Sequence, residues 1–211
     1  AILQETDYPT GTVQVTLSAT GSPTYEISEG VAWDHIAFTD ELRALAQRTD
    51  AVCFGSLAQR HEISRTAILS FLKAMPEGSL RIFDINLRLQ YYTQETIHTS
   101  LEHADILKLN DEEVPIVARL LGLEGDMEAI CHQVLTDYSL RAVILTRGAD
   151  GCSIYHEKGS VFHPSACIKV ADTVGAGDSF TAGFVSALLA GRSHLEAVAL
   201  ATRVAAFVCS H

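Results

Sequence analysis

From Thr39 onward the chain alternates short apolar runs with helical stretches, and few architectures accept that pattern. The runs "AVCFGSL" (51–57), "LRIFDIN" (80–86), "DILKLN" (105–110) and "RAVILTRG" (141–148) each hold a short apolar stretch bounded by polar or small residues. Such runs read as strands buried on both faces. Between them lie "TDELRALAQR", with Thr39 as its cap and Leu42, Leu45 and Ala46 on one face, and "ISRTAILSFLKAM", stopped by Pro76. "TQETIHTSLEHA", "DEEVPIVARLLG", which Gly122 ends, and "DMEAICHQVLTDY" follow as further helices. This order predicts an α/β fold: a three-layer, mainly parallel sheet with helices on both faces.

Two segments depart from the alternation. "GTVQVTLSATGSPTYEI" places Val13, Val15 and Leu17 on one face, turns at Gly21-Ser22-Pro23 and resumes at Tyr25 and Ile27, the pattern of a β-hairpin. A lone hairpin is marginal in water, so it is expected to pack on a further strand or on another subunit. "CSIYHEKGSVFHP" reads as a second hairpin, turning at Lys158-Gly159. "ACIKV" reads as a last strand leading into "DTVGAGDSFTAGF", and two helices close the chain, over 178–190 and about 194–209.

A formal charge of -11 argues against a nucleic-acid partner, which would need a basic face. No apolar run in the sequence reaches membrane-spanning length, and no signal peptide is expected. The five cysteines form no CxxC pair and mostly sit in apolar runs, so buried free thiols and a reducing, cytoplasmic setting are expected. The nine histidines show no ligand spacing. Both ends are expected to be cut, since the chain starts without methionine and stops inside a helical pattern.

Ligands of open α/β sheets bind beyond the carboxyl ends of the strands. Those ends carry Gly55 and Ser56; Asp84, Asn86 and Arg88; Asn110 and Glu113; Thr146, Gly148 and Gly151; and the stretch Asp172–Phe184. In that stretch Gly175, Ala176 and Gly177 permit a tight turn whose N–H groups can face an anion. Asp178 at the helix start is either a cap or a base, and a base beside amide donors is the layout of phosphoryl transfer. Neither GxxxxGK[ST] nor GxGxxG is present. Asn110 and Glu113 are equally readable as a capping box or as an amide–carboxylate pair for a hydrated Mg²⁺. Trp33 and Asp34 read as packing plus a turn, or as a sugar contact.

"DTVGAGDSFTAGF" resembles the C-terminal signature of the ribokinase-like (PfkB-type) carbohydrate kinases. "LNDEEV" resembles their N-x-x-E element, "VILTRGADGC" their Thr-x-Gly-x-x-Gly nucleotide loop, and "DINLR" the D-x-N-x-R segment of fructokinase-like members. The resemblance runs from about Gly11 to the end and implies an ATP- and Mg²⁺-dependent sugar kinase, fructokinase first. By that resemblance Asp178 is the base for the sugar hydroxyl, and the amides of Gly175, Ala176 and Gly177 hold the transferred phosphoryl. Asn110 and Glu113 organise phosphate and Mg²⁺, Glu113 through water. Thr146, Gly148 and Gly151 line the ATP site, and Thr202 flanks adenine. Asn86 and Arg88 lie near sugar and phosphate. Asp172 lies where some members coordinate a monovalent cation, and potassium is left open. Residues 1–36 would be part of a β lid and its connection, residues 37–211 the nucleotide-binding core, incomplete at both ends, and lids would pair in a homodimer. The rivals are a kinase of 2-keto-3-deoxygluconate, ribose or a nucleoside, and a catalytically silent sugar- or nucleotide-sensing relative.

Overall fold

The computed structural model describes residues 7–17, 23–166 and 168–211. The Gly21-Ser22 part of the expected turn, Cys167 and the side chain of Leu17 lie outside the described residues. Strands β1 (Val13–Leu17) and β2 (Pro23–Ile27) pair antiparallel, with Val13 opposite Ile27 and Val15 opposite Tyr25. They form a two-stranded sheet of their own.

The main sheet has six strands in chain order: β3 (Ala51–Phe54), β4 (Leu80–Asp84), β5 (Ile106–Asn110), β6 (Ala142–Thr146), β7 (Cys152–His156) and β8 (Gly159–His163). The first four are parallel, and β7 and β8 are antiparallel additions. Strand alternation divides the core in two. Phe83, Leu107, Val143 and Leu145 face α1 (Asp40–Ala46), α2 (Glu62–Ala74), α3 (Gln94–Glu102), α4 (Val114–Leu121) and α5 (Met127–Asp137). Ile82, Ile106, Ala142 and Ile144 face α6 (Ala176–Leu189) and α7 (His194–Cys209). Burying each such side chain contributes about 1.5–3 kcal/mol, so both faces hold the sheet. The α6–α7 pair approaches closely at Gly183, where a β-carbon would sit 3.1 Å from Ala201 Cα.

The helix signals behave as the residues suggest. Thr39 Oγ1 accepts from Leu42 N–H (3.3 Å), and α4 ends at Gly122 in the left-handed region. Three expectations need correction. "ACIKV" is not a strand: residues 164–166 and 168–171 form no ladder, and Ile168 and Val170 line a cleft instead. α6 starts earlier than expected, at Ala176, with Gly175 (φ 77°) as its N-cap, so Asp178 is the third helical residue and not the cap. Cys53 is exposed on β3, whereas Cys131 and Cys152 are buried free thiols.

Candidate active site

The first turn of α6 lies at the carboxyl edge of the sheet, and its amides are unevenly used. Ala176 N–H donates to Thr173 O (3.1 Å), closing the turn. The N–H groups of Gly175, Gly177 and Asp178 have no acceptor among the described residues. Three free amides at a helix N-terminus attract an anion. Asp178 is exposed beside them, and its carboxylate takes no hydrogen bond among the described residues. The expected trio of amides is thus shifted, with Ala176 committed to the turn and Asp178's own amide available.

Beneath this turn lies a buried charge pair. Lys108 of β5 stands in register with Asp84 of β4, and Nζ reaches Asp84 Oδ2 at 2.7 Å. Thr181 Oγ1 of α6 donates to the same Oδ2 (3.0 Å), which ties the helix to the sheet. The ammonium is 3.4 Å from where a β-carbon at Gly177 would stand. Gly177 therefore lets a full positive charge sit against the amide turn. Lys108 was not singled out from sequence; a lone lysine inside the buried run "DILKLN" was the available signal, because such a charge needs a partner.

Asn110 and Glu113 exchange the two bonds of a capping box, but in the turn before α4 and not at its cap, because Glu113 is itself the N-cap of α4. Asn110 N–H donates to Glu113 Oε2 (2.8 Å), and Glu113 N–H to Asn110 Oδ1 (2.9 Å). Glu113 does more. Its Oε1 accepts from Leu87 N–H at 2.7 Å, so one buried carboxylate fastens the loop after β4 to the end of β5. Burial pushes the Glu113 carboxyl above its ordinary pKa, and the two backbone donors only partly offset this. Asn86, in that loop, holds a left-handed φ of 40°, and Leu89 one of 49°. Asn86 and Arg88 are exposed, and Arg88 forms no ion pair among the described residues.

For Mg²⁺ this arrangement sets a limit. Both Glu113 oxygens already accept a backbone N–H, so a metal bound directly would compete with those bonds, whereas one held through water would not. Among the described residues no cluster of three or more His, Cys, Asp or Glu could cage a metal. Asp172 is exposed and uses Oδ1 to close a turn with Val174 N–H (3.0 Å).

A cleft of about 560 Å³ opens beside the turn. Thr146, Gly148, Gly151 and Thr202 line it together with Ala176 and Gly177, so residues expected to hold the nucleotide converge. Gly151 (φ 91°) is required there, since a β-carbon would run into His163 O. Thr202 touches Cys152 through a 4.0 Å Oγ1–Sγ contact, and burial pushes that thiol up to about 11. Phe180, Ala205, Ala206 and Cys209, also in the lining, were not foreseen. Ala205, Ala206 and Cys209 belong to α7 and Phe180 to α6, which no local pattern in the sequence places beside the glycine loop.

The profile of the pfkB family carbohydrate kinases matches residues 2–211. The chain belongs to that family. An uncharacterized sugar kinase of Pyrococcus horikoshii is 29% identical over 194 residues, covering 89% of this chain and 58% of that one. A fructokinase of Rhizobium leguminosarum bv. trifolii is 29% identical over 174 residues, 80% of this chain and 52% of that one. The chain thus spans 52–58% of the length of these curated relatives. The crystal structure of the Pyrococcus horikoshii protein in complex with ATP superposes with a TM-score of 0.82 at 26% identity, covering 99% of this chain and 67% of that one. Ribokinase-like architecture is shared along nearly the whole described chain.

Proposed function

We propose that the protein transfers the γ-phosphoryl group of ATP to a sugar hydroxyl, with fructose as the first acceptor to try. The observation that carries the reading is the exposed, unpaired Asp178 carboxylate in the same first helical turn as three free amides and beside the cleft. In this reading Asp178 takes the proton of a primary hydroxyl as its oxygen bonds to the γ-phosphorus. The bond from phosphorus to the bridging oxygen breaks, and ADP leaves with that electron pair. The amides of Gly175, Gly177 and Asp178 and the ammonium of Lys108 counter the charge on the transferring group. Thr146, Gly148, Gly151 and Thr202 hold the nucleotide, and Asn86 and Arg88 face the sugar. Mg²⁺ entering with the phosphates would neutralise part of their charge, with water between it and Glu113.

The fructose choice rests on relatives named fructokinase at about 30% identity and on the "DINLR" segment. A homodimer is included in the proposal because Val13, Val15 and Tyr25 expose more than half of their surface on the hairpin. An ADP-release assay on the full-length protein, run across fructose, ribose, 2-keto-3-deoxygluconate and nucleosides, tests the reading. Fructose is expected to give the highest kcat/KM. Preference for another acceptor corrects the substrate, and no release with any acceptor removes the kinase reading in favour of a silent, sensing relative.

A further inference from the structure

Arg60 stands in the loop after β3, outside every motif considered so far, with its side chain 7% exposed. Its guanidinium lies 4.0 Å from the Trp33 ring centre and 4.7 Å from that of Tyr91. On its edge Asp34 forms a two-pronged pair, Nε to Oδ1 and Nη2 to Oδ2, both at 2.8 Å. Nη2 also donates to Ser28 O, just beyond β2. Trp33 in turn lies against Gly11, just before β1, where a β-carbon would overlap the indole.

Tyr91 reaches across to the hairpin, its hydroxyl donating to Ile27 O (3.3 Å). It belongs to the loop after β4, where its N–H donates to Arg88 O (3.0 Å). Four segments therefore meet on one guanidinium: the hairpin, its connection to α1, the loop after β3 and the loop carrying Asn86 and Arg88. A buried ion pair is a poor choice for stability alone, since apolar residues of the same volume often do as well. What a planar fork adds is geometry: it accepts one orientation of its carboxylate and one of the rings that sandwich it.

We propose that Arg60 is a positioning residue that locks the hairpin and the Asn86–Arg88 loop to one another, so that the two sides of the acceptor pocket move as one piece. The proposal rests on the reading of that loop as the acceptor site. Arg60→Lys in the full-length protein keeps the charge and loses both the fork and the flat stack. Backbone hydrogen exchange should then speed up by about tenfold in β1–β2 and in residues 87–92 together, while β5 and β6 stay as in the parent. The acceptor KM should rise by about tenfold, with the ATP KM changed by less than about twofold. Tyr91→Leu, which leaves the Asp34 pair intact, should move both readouts the same way and stands in if the lysine variant does not fold. Loosening of one segment alone, loosening of the whole sheet, or an unchanged acceptor KM overturns the proposal. A parent protein without kinase activity would defeat the functional reading, and the exchange data would still decide whether the joint exists.

Discussion

Asp178 and Glu113 are carboxylates on the same edge of the sheet, yet one is exposed with no hydrogen bond and the other is buried with both oxygens taken. The regions around them differ in the same way. The cleft beside α6 is lined by glycine, alanine and threonine, and its amides are left open. The loop after β4 is knit by Glu113, by the Asp34–Arg60 pair and by Tyr91, and carries two left-handed residues. An open region leaves its polar groups for a ligand to satisfy; a closed one uses them to hold the chain. Substitutions in the first should therefore change turnover and spare folding, and those in the second should change stability as well.

The largest effect should come from the open side. Asp178→Asn should lower kcat by about a thousandfold while calorimetric ATP affinity and the thermal midpoint stay put. Turnover like the parent's would take Asp178 out of the chemistry. On the closed side, Asp34→Asn should cost about 3–5 kcal/mol near neutral pH, because it strands a buried guanidinium. The loss depends on pH in a defined direction. Burial works to raise the Asp34 carboxyl, but the Arg60 fork, the Val31 amide and the Arg60 charge outweigh it, leaving the pKa below the ordinary 3.8. A lowered folded pKa gives stability that is complete above the ordinary value and lost as pH falls through the folded one. Urea midpoints of parent and variant should thus converge as pH drops below 3.8; a constant gap would mean the pair is not the source.

Glu113→Ala comes next. It leaves the N–H groups of Leu87 and Asn110 without their acceptor, at about 1–3 kcal/mol for each that water does not reach, and should raise the acceptor KM. An altered Mg²⁺ requirement at unchanged stability would instead assign Glu113 to the metal. The smallest change is expected at Thr202→Ala, whose ATP KM should shift by less than about threefold, since the hydroxyl contributes only one weak contact to Cys152.

Much of this layout was legible in the sequence because it depends on short-range patterns. Apolar runs separated by capped helices determine a parallel sheet, and a Gly-Ala-Gly before a helix determines where an anion could sit. What escaped depends on contacts between distant segments or on one dihedral angle. Ile168 and Val170 read as a strand by composition, but they are apolar because they line the cleft. Asp178 stayed readable as a cap because a sequence does not reveal that Gly175 turns left-handed and that the helix begins at Ala176, two residues before the expected 178. The links from Glu113 to Leu87 and from Arg60 to Asp34 and Tyr91 join residues 26 to 31 positions apart, beyond any local pattern.

The strand order has a consequence for how the molecule comes to exist. Each neighbour in the six-stranded sheet is also the neighbour in the chain. Such a sheet can grow by adding one strand–helix unit at a time, and each parallel pairing has to close a helix-bearing crossover, the slow step of this kind of fold. The helices α6 and α7 cover a face that β4, β5, β6 and β7 form together. The cleft beside the α6 turn needs residues of α6 and α7 as well as the end of β6, so the sheet can exist before the cleft does.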